Sequence, residues 1–244
     1  FYHYMDPNQM PMGPMETQAG ERIKGIEDYL TSAQYAQGTP HEGKVVEDIL
    51  DQFPLLSRGN KFHAMLATSS IPEAISYYRL FKERAPQMHV TALFDPNVDN
   101  SNGAILKGDA LQEIIGDYNE LFGKDFIIPT WPKMKKDITA RLSHKRPYLT
   151  VDQHREERID LLIVVDQMLT GFDSKWVNTL YLDKIIDYEN IIQAFSRTNR
   201  LFGPDKPFGT IRYYRKPHTM KGYIEAAVKL YSGDKPVSYT HLTL

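Results

Sequence analysis

The sequence predicts an α/β fold, with a mostly parallel sheet flanked by helices. Short apolar segments alternate along the chain with longer segments whose apolar residues have helical spacing. The run Leu161–Val165 is apolar throughout, which is typical of a strand buried on both faces of a parallel sheet. The 244 residues, 41% of them hydrophobic, are enough for a sizeable core. Strands that alternate with helices favour parallel pairing, because a helix must carry the chain back between parallel strands.

Each element follows from its local pattern. Apolar residues at 45, 46, 49, 50 and 53 predict the first helix. Ser70 is predicted to cap the second, with Pro72 in its first turn. The predicted helices cover 42–53, 74–83, 109–122, 133–145, 188–198 and 219–231. The predicted strands cover 61–68, 89–94, 160–165, 179–182 and 209–214.

Composition excludes several kinds of site. The formal net charge is -2, so any basic binding site must be local. The absence of cysteine excludes a disulfide scaffold, a thiolate zinc site and a cysteine nucleophile. The eight histidines lack metal-ligand spacing, so no metal site is predicted. No apolar run approaches the roughly 20 residues that span a bilayer.

The two ends of the chain differ from its middle. Residues 1–41 begin with a stretch rich in Met, Pro and Gly that lacks periodicity, and we interpret them as a linker or part of a preceding segment. Residues 237–244, VSYTHLTL, are interpreted as a non-native tail, the alternative being a native terminal strand.

Arg197 and Arg200 form the sharpest functional pattern. They are three residues apart, and Gln193 lies four before Arg197, so a continuous helix would present all three on one face. Two adjacent guanidinium groups suit phosphate oxygens. The alternative is an exposed helix face on which an arginine pairs with Glu189.

The segment VVDQMLTGFD, which begins at the end of the 160–165 strand, is the second pattern. Thr170 offers a hydroxyl and an N–H group to a phosphate, Gly171 permits close backbone approach, and Asp173 could accept from a ribose hydroxyl. The alternative is an ordinary turn capped by Asp and Thr. Loops at the carboxyl ends of parallel strands meet at one edge, so we expect this segment, Ser69, Ser70 and the arginines to gather there.

A basic helix adds a weaker signal. It could form a DNA-facing stripe, although lysine and arginine also coat ordinary exposed helices. Its basic residues, with the two that follow it, are Lys133, Lys135, Lys136, Arg141, Lys145 and Arg146.

Two motifs in one order carry a family resemblance. VVDQMLTGFD, followed about twenty residues later by QAFSRTNR, resembles motifs V and VI of superfamily 2 helicases. The segments DLLIVVDQMLTGFD, NTLYLDK and IIQAFSRTNRLFGPDKPFGTI are most similar to the motor (restriction) subunit of type I restriction–modification enzymes, and KFHAMLATSSIPEAISYYRLFKE resembles its motif IV. The resemblance covers about residues 42–236. One departure is that Ser174-Lys175 replaces the usual Ala-Pro after TGFD.

The resemblance implies a second RecA-like motor domain over 42–215, with a helix at 216–236 leading toward a helical domain. It implies that Arg200 is the arginine finger, with Arg197 as a companion phosphate contact. It also implies nucleotide contacts by Gln193, Gly171 and Asp173, and contacts to the DNA backbone by Ser69, Ser70 and Thr170.

The resemblance further implies an ATP-hydrolysing, DNA-translocating type I site-specific deoxyribonuclease in the prokaryotic cytoplasm. This sequence contains neither a G-x-x-x-x-G-K-[ST] loop nor an Asp-Glu-x-His segment. ATP and Mg²⁺ are therefore expected mainly on a first motor domain, and this chain alone is expected to be inactive. Implied partners are double-stranded DNA, that first domain, and the modification and specificity subunits. Two alternatives stay open: another superfamily 2 helicase or remodeller, and a non-catalytic nucleotide-binding module.

Overall fold

A five-stranded, all-parallel sheet forms the centre of the molecule, in a computed structural model that describes residues 10–95, 104–165, 174–186, 188–196, 198 and 200–232. The spatial order of the strands is β4-β5-β3-β6-β7. Their bounds are β3 His63–Thr68, β4 Val90–Leu93, β5 Leu161–Val165, β6 Val177–Asp183 and β7 Thr210–Tyr213. A separate two-stranded antiparallel hairpin pairs β1 Met15–Glu16 with β2 Arg22–Ile23.

Among the described residues, six α-helices flank the sheet and give a RecA-like α/β arrangement. Their bounds are α1 Pro40–Leu56, α2 Ile71–Arg84, α3 Ala104–Phe122, α4 Trp131–Ser143, α5 Tyr188–Ser196 and α6 Pro217–Ser232. Helix α2 packs on β3, β4 and β5, while α5 packs on α6. No helix in the described ranges is long and apolar enough to cross a membrane.

The predicted fold class, the five strands and the six helices are confirmed, with ends that shift by a few residues. The Ser70 hydroxyl accepts a hydrogen bond from the Glu73 N–H at 3.4 Å, and Pro72 lies in the first turn of α2. All six residues of β3 and all seven of β6 are buried. The central strands are therefore covered on both faces, as the apolar pattern of the sequence predicts.

Residues 26–35 pack against the C-terminal part of the domain. The buried Glu27 carboxylate accepts hydrogen bonds from the N–H groups of His218 and Thr219 and from the Thr219 hydroxyl, at 2.7 to 2.9 Å. These groups begin α6, where the free N–H groups and the helix dipole favour a carboxylate. Ile26 and Tyr35 are also buried, so this segment covers part of the domain surface.

Parallel pairing gives the sheet two chemically different edges. The carboxyl edge carries Ser69 after β3, Asp183 at the end of β6 and Arg215 just after β7. The amino edge carries Phe62 before β3 and Trp176 before β6. These two edges hold the two sites described next.

Candidate functional site

Arg200 lies at the amino edge of the sheet, in an open cleft of about 560 Å³. Its side chain is exposed and follows the end of α5 at Ser196. Two further cations, Lys145 and Lys175, line the cleft, together with the hydroxyl-bearing Ser143. The cleft therefore combines three positive charges with hydrogen-bond donors, a combination that binds anions.

The expectation that Arg200 shares the carboxyl edge with Ser69 and Ser70 is wrong, whereas residues 166–173 and Arg197, which were expected at the same edge, lie outside the described residues. Helix α5 begins after the carboxyl end of β6 and runs back along the sheet, so its last turn returns toward the amino edge. The helix also ends at Ser196, so the spacing rule of a continuous helix does not place Arg200. Ser69 and Ser70 lie at the opposite edge, after β3.

A close backbone approach fixes the segment before Arg200. Thr198 is buried, and a Cβ atom added to Gly209 would lie 2.2 Å from the Thr198 carbonyl oxygen. Only glycine tolerates this approach, because any other side chain would overlap the neighbouring backbone. Gly209 thus positions the chain that enters the cleft, a role that sequence reasoning missed.

A buried lysine joins the two sides of the cleft. The Lys206 ammonium donates hydrogen bonds to the carbonyl oxygens of Lys175 at 3.1 Å and Val177 at 2.7 Å. Burial lowers the pKa of Lys206 to about 8. The Phe202 N–H donates to the Lys206 carbonyl oxygen at 3.0 Å. The segment after Arg200 is therefore fastened to the segment that contains Lys175.

A cluster of aromatic rings packs beside the cleft. The Trp176 indole stacks on His144, with ring centres 3.7 Å apart, and contacts the Phe202 ring at 4.6 Å. The Lys175 ammonium lies 4.5 Å from the centre of the Phe202 ring, within cation–π range. Since its neighbours cover it, Trp176 supports the cleft rather than offering a free face to a base.

His144 also belongs to a buried histidine pair. The Nδ1 of His63 donates to the Ile159 carbonyl oxygen, so its Nε2 must accept from the Nε2–H of His144, 2.9 Å away. Burial lowers the pKa of His63 to about 3 and that of His144 to about 4. Both imidazoles are thus neutral at ordinary pH.

We expect this pair to weaken the fold in mild acid. An unfolded histidine has a pKa near 6.5, above both folded values, so the unfolded state binds more protons as pH falls. The free energy of unfolding should fall from about pH 6.5 toward pH 4, by up to roughly 1.4 kcal/mol per pH unit for each histidine. Urea unfolding at several pH values measures this slope. His63→Gln should make it shallower and the exposed control His154→Gln should not; equal slopes in all three proteins would contradict the assignment.

At the carboxyl edge, Asp183 is the centre of a buried charged cluster. Its carboxylate accepts from His41 Nε2 at 2.6 Å, from the Tyr77 hydroxyl at 2.7 Å, and from two nitrogens of Arg215 at 3.0 and 3.1 Å. Burial alone would raise the pKa of Asp183, but the hydrogen bonds from His41 and Arg215 lower it below its ordinary value. The carboxylate is therefore held ionised.

The same cluster fixes Ser69. Arg215 Nη1 donates to the Ser69 hydroxyl oxygen at 3.1 Å, and the Ser69 N–H donates to Glu73 at 3.0 Å. Arg215 also contacts the Glu73 carboxylate at 3.0 Å. Ser69 is nevertheless exposed and Ser70 half-buried. The turn after β3 is thus a rigid surface that presents serine groups at the carboxyl edge.

Comparison with known proteins gives the family. Residues 60–216 match the model of domain 3 of the type I restriction enzyme subunit R. This match covers more than half of the chain, and it includes Ser69, Arg200 and Arg215. The chain belongs to this family.

Curated relatives agree with the family model. The chain is 32% identical over 196 residues to the endonuclease subunit of a type I restriction enzyme of Staphylococcus aureus strain COL, a match of 77% of this chain and 20% of that protein. It is 31% identical over 229 residues to the corresponding subunit of Staphylococcus saprophyticus, a match of 89% of this chain and 23% of that protein. The chain thus spans about a fifth of the length of these relatives.

The remaining predicted nucleotide and DNA contacts fall into two groups, those that the structure describes and those that it does not. Gln193 is exposed on α5, before the segment that leads to Arg200. The predicted residues that lie outside the described part of the chain are Arg197, Thr170, Gly171 and Asp173.

Arg141 is buried, so it belongs neither to a DNA-facing stripe nor to an ordinary exposed helix face, the two alternatives for the basic helix. Its Nε donates to Asp137 at 2.9 Å, and its guanidinium lies 4.0 Å from the Phe122 ring centre and 4.1 Å from that of Tyr148. The Asp137–Arg141 spacing of four residues could have revealed this pairing. Lys133, Lys135 and Lys136 are exposed, as are Lys145 and Arg146.

Proposed function

We propose that this chain is the second RecA-like motor domain of a type I restriction subunit. The complete subunit would hydrolyse ATP, translocate double-stranded DNA and cleave it. This domain would supply the arginine half of the ATP site and part of the DNA track. Family membership favours this function over that of another superfamily 2 helicase, the alternative that the motifs left open.

The observation that carries the ATP half of the proposal is the position of Arg200. Its exposed side chain lies in an open cleft with two lysines, beside loops that Gly209 and Lys206 hold in place. A guanidinium held at an open, cationic surface can reach a phosphate bound on a facing domain. There it would stabilise the charge that develops on the transferring γ-phosphoryl group. Arg197, Gln193, Gly171 and Asp173 are proposed to complete the nucleotide contacts.

The carboxyl edge supports the DNA half. Ser69 and Ser70 present hydroxyl groups on a turn that Arg215 and Glu73 immobilise. Hydroxyl groups of this kind contact phosphate oxygens without reading bases, which suits a motor that moves along any sequence. Thr170 is proposed to contribute to the same track.

ATP and Mg²⁺ would be held mainly by the first motor domain. Within the described ranges, no group of three or more His, Asp or Glu residues could hold a metal ion. In the proposal the arginines of this chain contact the phosphate chain. The proposed partners are the first motor domain, double-stranded DNA, and the modification and specificity subunits, in the prokaryotic cytoplasm.

The isolated chain should hydrolyse ATP no faster than buffer, because it lacks a phosphate-binding loop. Phosphate release by the purified chain with Mg²⁺ and DNA measures this rate, with the complete subunit as the positive control. Suppose that the isolated chain hydrolyses ATP steadily and that Arg200→Ala abolishes this activity. That result would refute the half-site proposal, in which this domain supplies only the arginine half of the ATP site. An active complete subunit that keeps its rate with Arg200→Ala would remove Arg200 from catalysis.

A further inference from the structure

The cleft contains two cations besides Arg200, namely Lys145 and Lys175, and neither lysine pairs with a carboxylate in the described part of the chain. Neither lysine has an Asp or Glu oxygen within 4.0 Å among the described residues, whereas exposed lysines elsewhere, such as Lys82, lie within that distance. Both lysines are exposed at the cleft. An anionic ligand would therefore meet two lysines that no described carboxylate neutralises.

Lys175 is held in place at the cleft lining. Its carbonyl oxygen accepts from the buried Lys206 ammonium at 3.1 Å. Its own ammonium lies 4.5 Å from the ring centre of Phe202 and 5.7 Å from that of Trp176. Fixed backbone and two aromatic contacts restrict this side chain, so less rotamer entropy is lost when a ligand binds.

Lys145 reaches the cleft from the opposite side, after the end of α4. Its N–H donates to the Ala140 carbonyl oxygen at 3.0 Å, which closes the helix end. Ser143, two residues earlier, adds a hydroxyl group to the cleft. The volume of about 560 Å³ is in the range of small-molecule sites.

We propose that Lys175 and Lys145 bind the phosphate chain of the nucleoside triphosphate on which Arg200 acts. This inference rests on the proposed function. In it, the two lysines increase the affinity for ATP, and Arg200 increases the rate of ATP hydrolysis. Several adjacent phosphates match several converging cations better than a single small anion does. Lys175 lies where the sequence departs from the usual Ala-Pro, so the proposed contact is a feature of this chain and not of the family pattern.

The position of the cleft favours a nucleotide over the DNA backbone. The turn proposed to contact DNA, with Ser69 and Ser70, lies at the carboxyl edge of the sheet. The cleft lies at the amino edge, beside Trp176 and the start of β6. Arg200 lines the same cleft.

Steady-state ATP hydrolysis by the complete subunit tests the assignment. Lys175→Ala should raise the KM for ATP about tenfold with little change in kcat, because a charge-assisted contact made equally in the ground and transition states is lost. Lys145→Ala should act in the same direction, and Lys175→Arg should restore much of the affinity. Lys221→Ala, which removes an exposed lysine of α6, is the matched control and should leave both constants unchanged.

Binding of tripolyphosphate to the 244-residue chain, measured by calorimetry, gives a second readout. Lys175→Ala should weaken binding about tenfold and Lys221→Ala should not. An unchanged KM in both cleft variants would overturn the inference, while loss of turnover in Arg200→Ala would show that the proposed function survives. A change confined to the DNA concentration that stimulates hydrolysis would also overturn it, in favour of a backbone contact.

Discussion

Asp183→Asn should destabilise the domain by about 3–5 kcal/mol, because it removes the buried charged partner of the Arg215 guanidinium and leaves only the half-buried Glu73 carboxylate beside it. The Asp183 side chain is fully buried and its two oxygens accept four hydrogen bonds. An amide has one oxygen and two donors, so it cannot accept from Arg215, His41 and Tyr77 together. For a domain of this size the melting temperature should fall by roughly 6–20 °C.

Thermal and urea unfolding of the chain measure this effect. The matched control is Asp205→Asn. It removes an exposed carboxylate that, like Asp183, forms an ion pair, here with the Lys61 ammonium at 2.5 Å. That change should cost less than about 1 kcal/mol, because exposed pairs contribute little. Adding Arg215→Met to Asp183→Asn should recover part of the loss, since it removes a buried guanidinium whose one remaining charged partner in the described cluster is Glu73. A wild-type melting temperature in Asp183→Asn would show that the cluster does not stabilise the fold.

Arg200→Lys should lower the kcat for ATP hydrolysis by the complete subunit about a hundredfold or more, while the protein stays folded. Lysine keeps the charge but loses the planar fork that spans two phosphate oxygens. Arginine fingers contribute roughly 10³–10⁵ in rate, so loss of the fork alone removes a large part of that effect. Because Arg200 is exposed, its substitution should change stability by less than about 0.5 kcal/mol.

ATPase rates beside melting curves separate the two effects. Arg79→Lys is the matched control, since Arg79 is an exposed arginine of α2 that pairs with Glu113 at 2.7 Å, outside the cleft. It should retain wild-type turnover. Full turnover in Arg200→Lys would contradict the proposal that the planar guanidinium of Arg200 is needed for catalysis. A collapsed melting temperature would show that Arg200 is structural.

The strands and helices were predictable because their signals are local. The run Leu161–Val165 and the cap at Ser70 each lie within a few neighbouring residues. The strand order β4-β5-β3-β6-β7 is not local, because it depends on how separate segments pack. The cluster of Asp183 with Arg215 and His41 depends on that order and on the placement of α1, so it could not be predicted from spacing.

The chemistry of the cleft was predictable in part. The motif identifies Arg200, but the predicted edge of the sheet is wrong, because a helix between parallel strands reverses the direction of the chain. For Lys175 the sequence shows only a departure from the family pattern. Its relation to Arg200 depends on Lys206, which is 31 residues away along the chain. The sequence does not predict the burial of Arg141, because burial of a charged helix residue depends on tertiary partners.

The most direct test of the half-site proposal is a structure of the complete subunit with ADP, aluminium fluoride and Mg²⁺, which imitates the transferring phosphoryl group. The measured quantity is the distance from the Arg200 guanidinium nitrogens to the fluoride ligands. We expect at least one nitrogen within about 3 Å, the range of a charge-assisted hydrogen bond. A closed complex in which Arg200 lies beyond hydrogen-bond reach, with another group contacting the fluorides, would contradict the assignment.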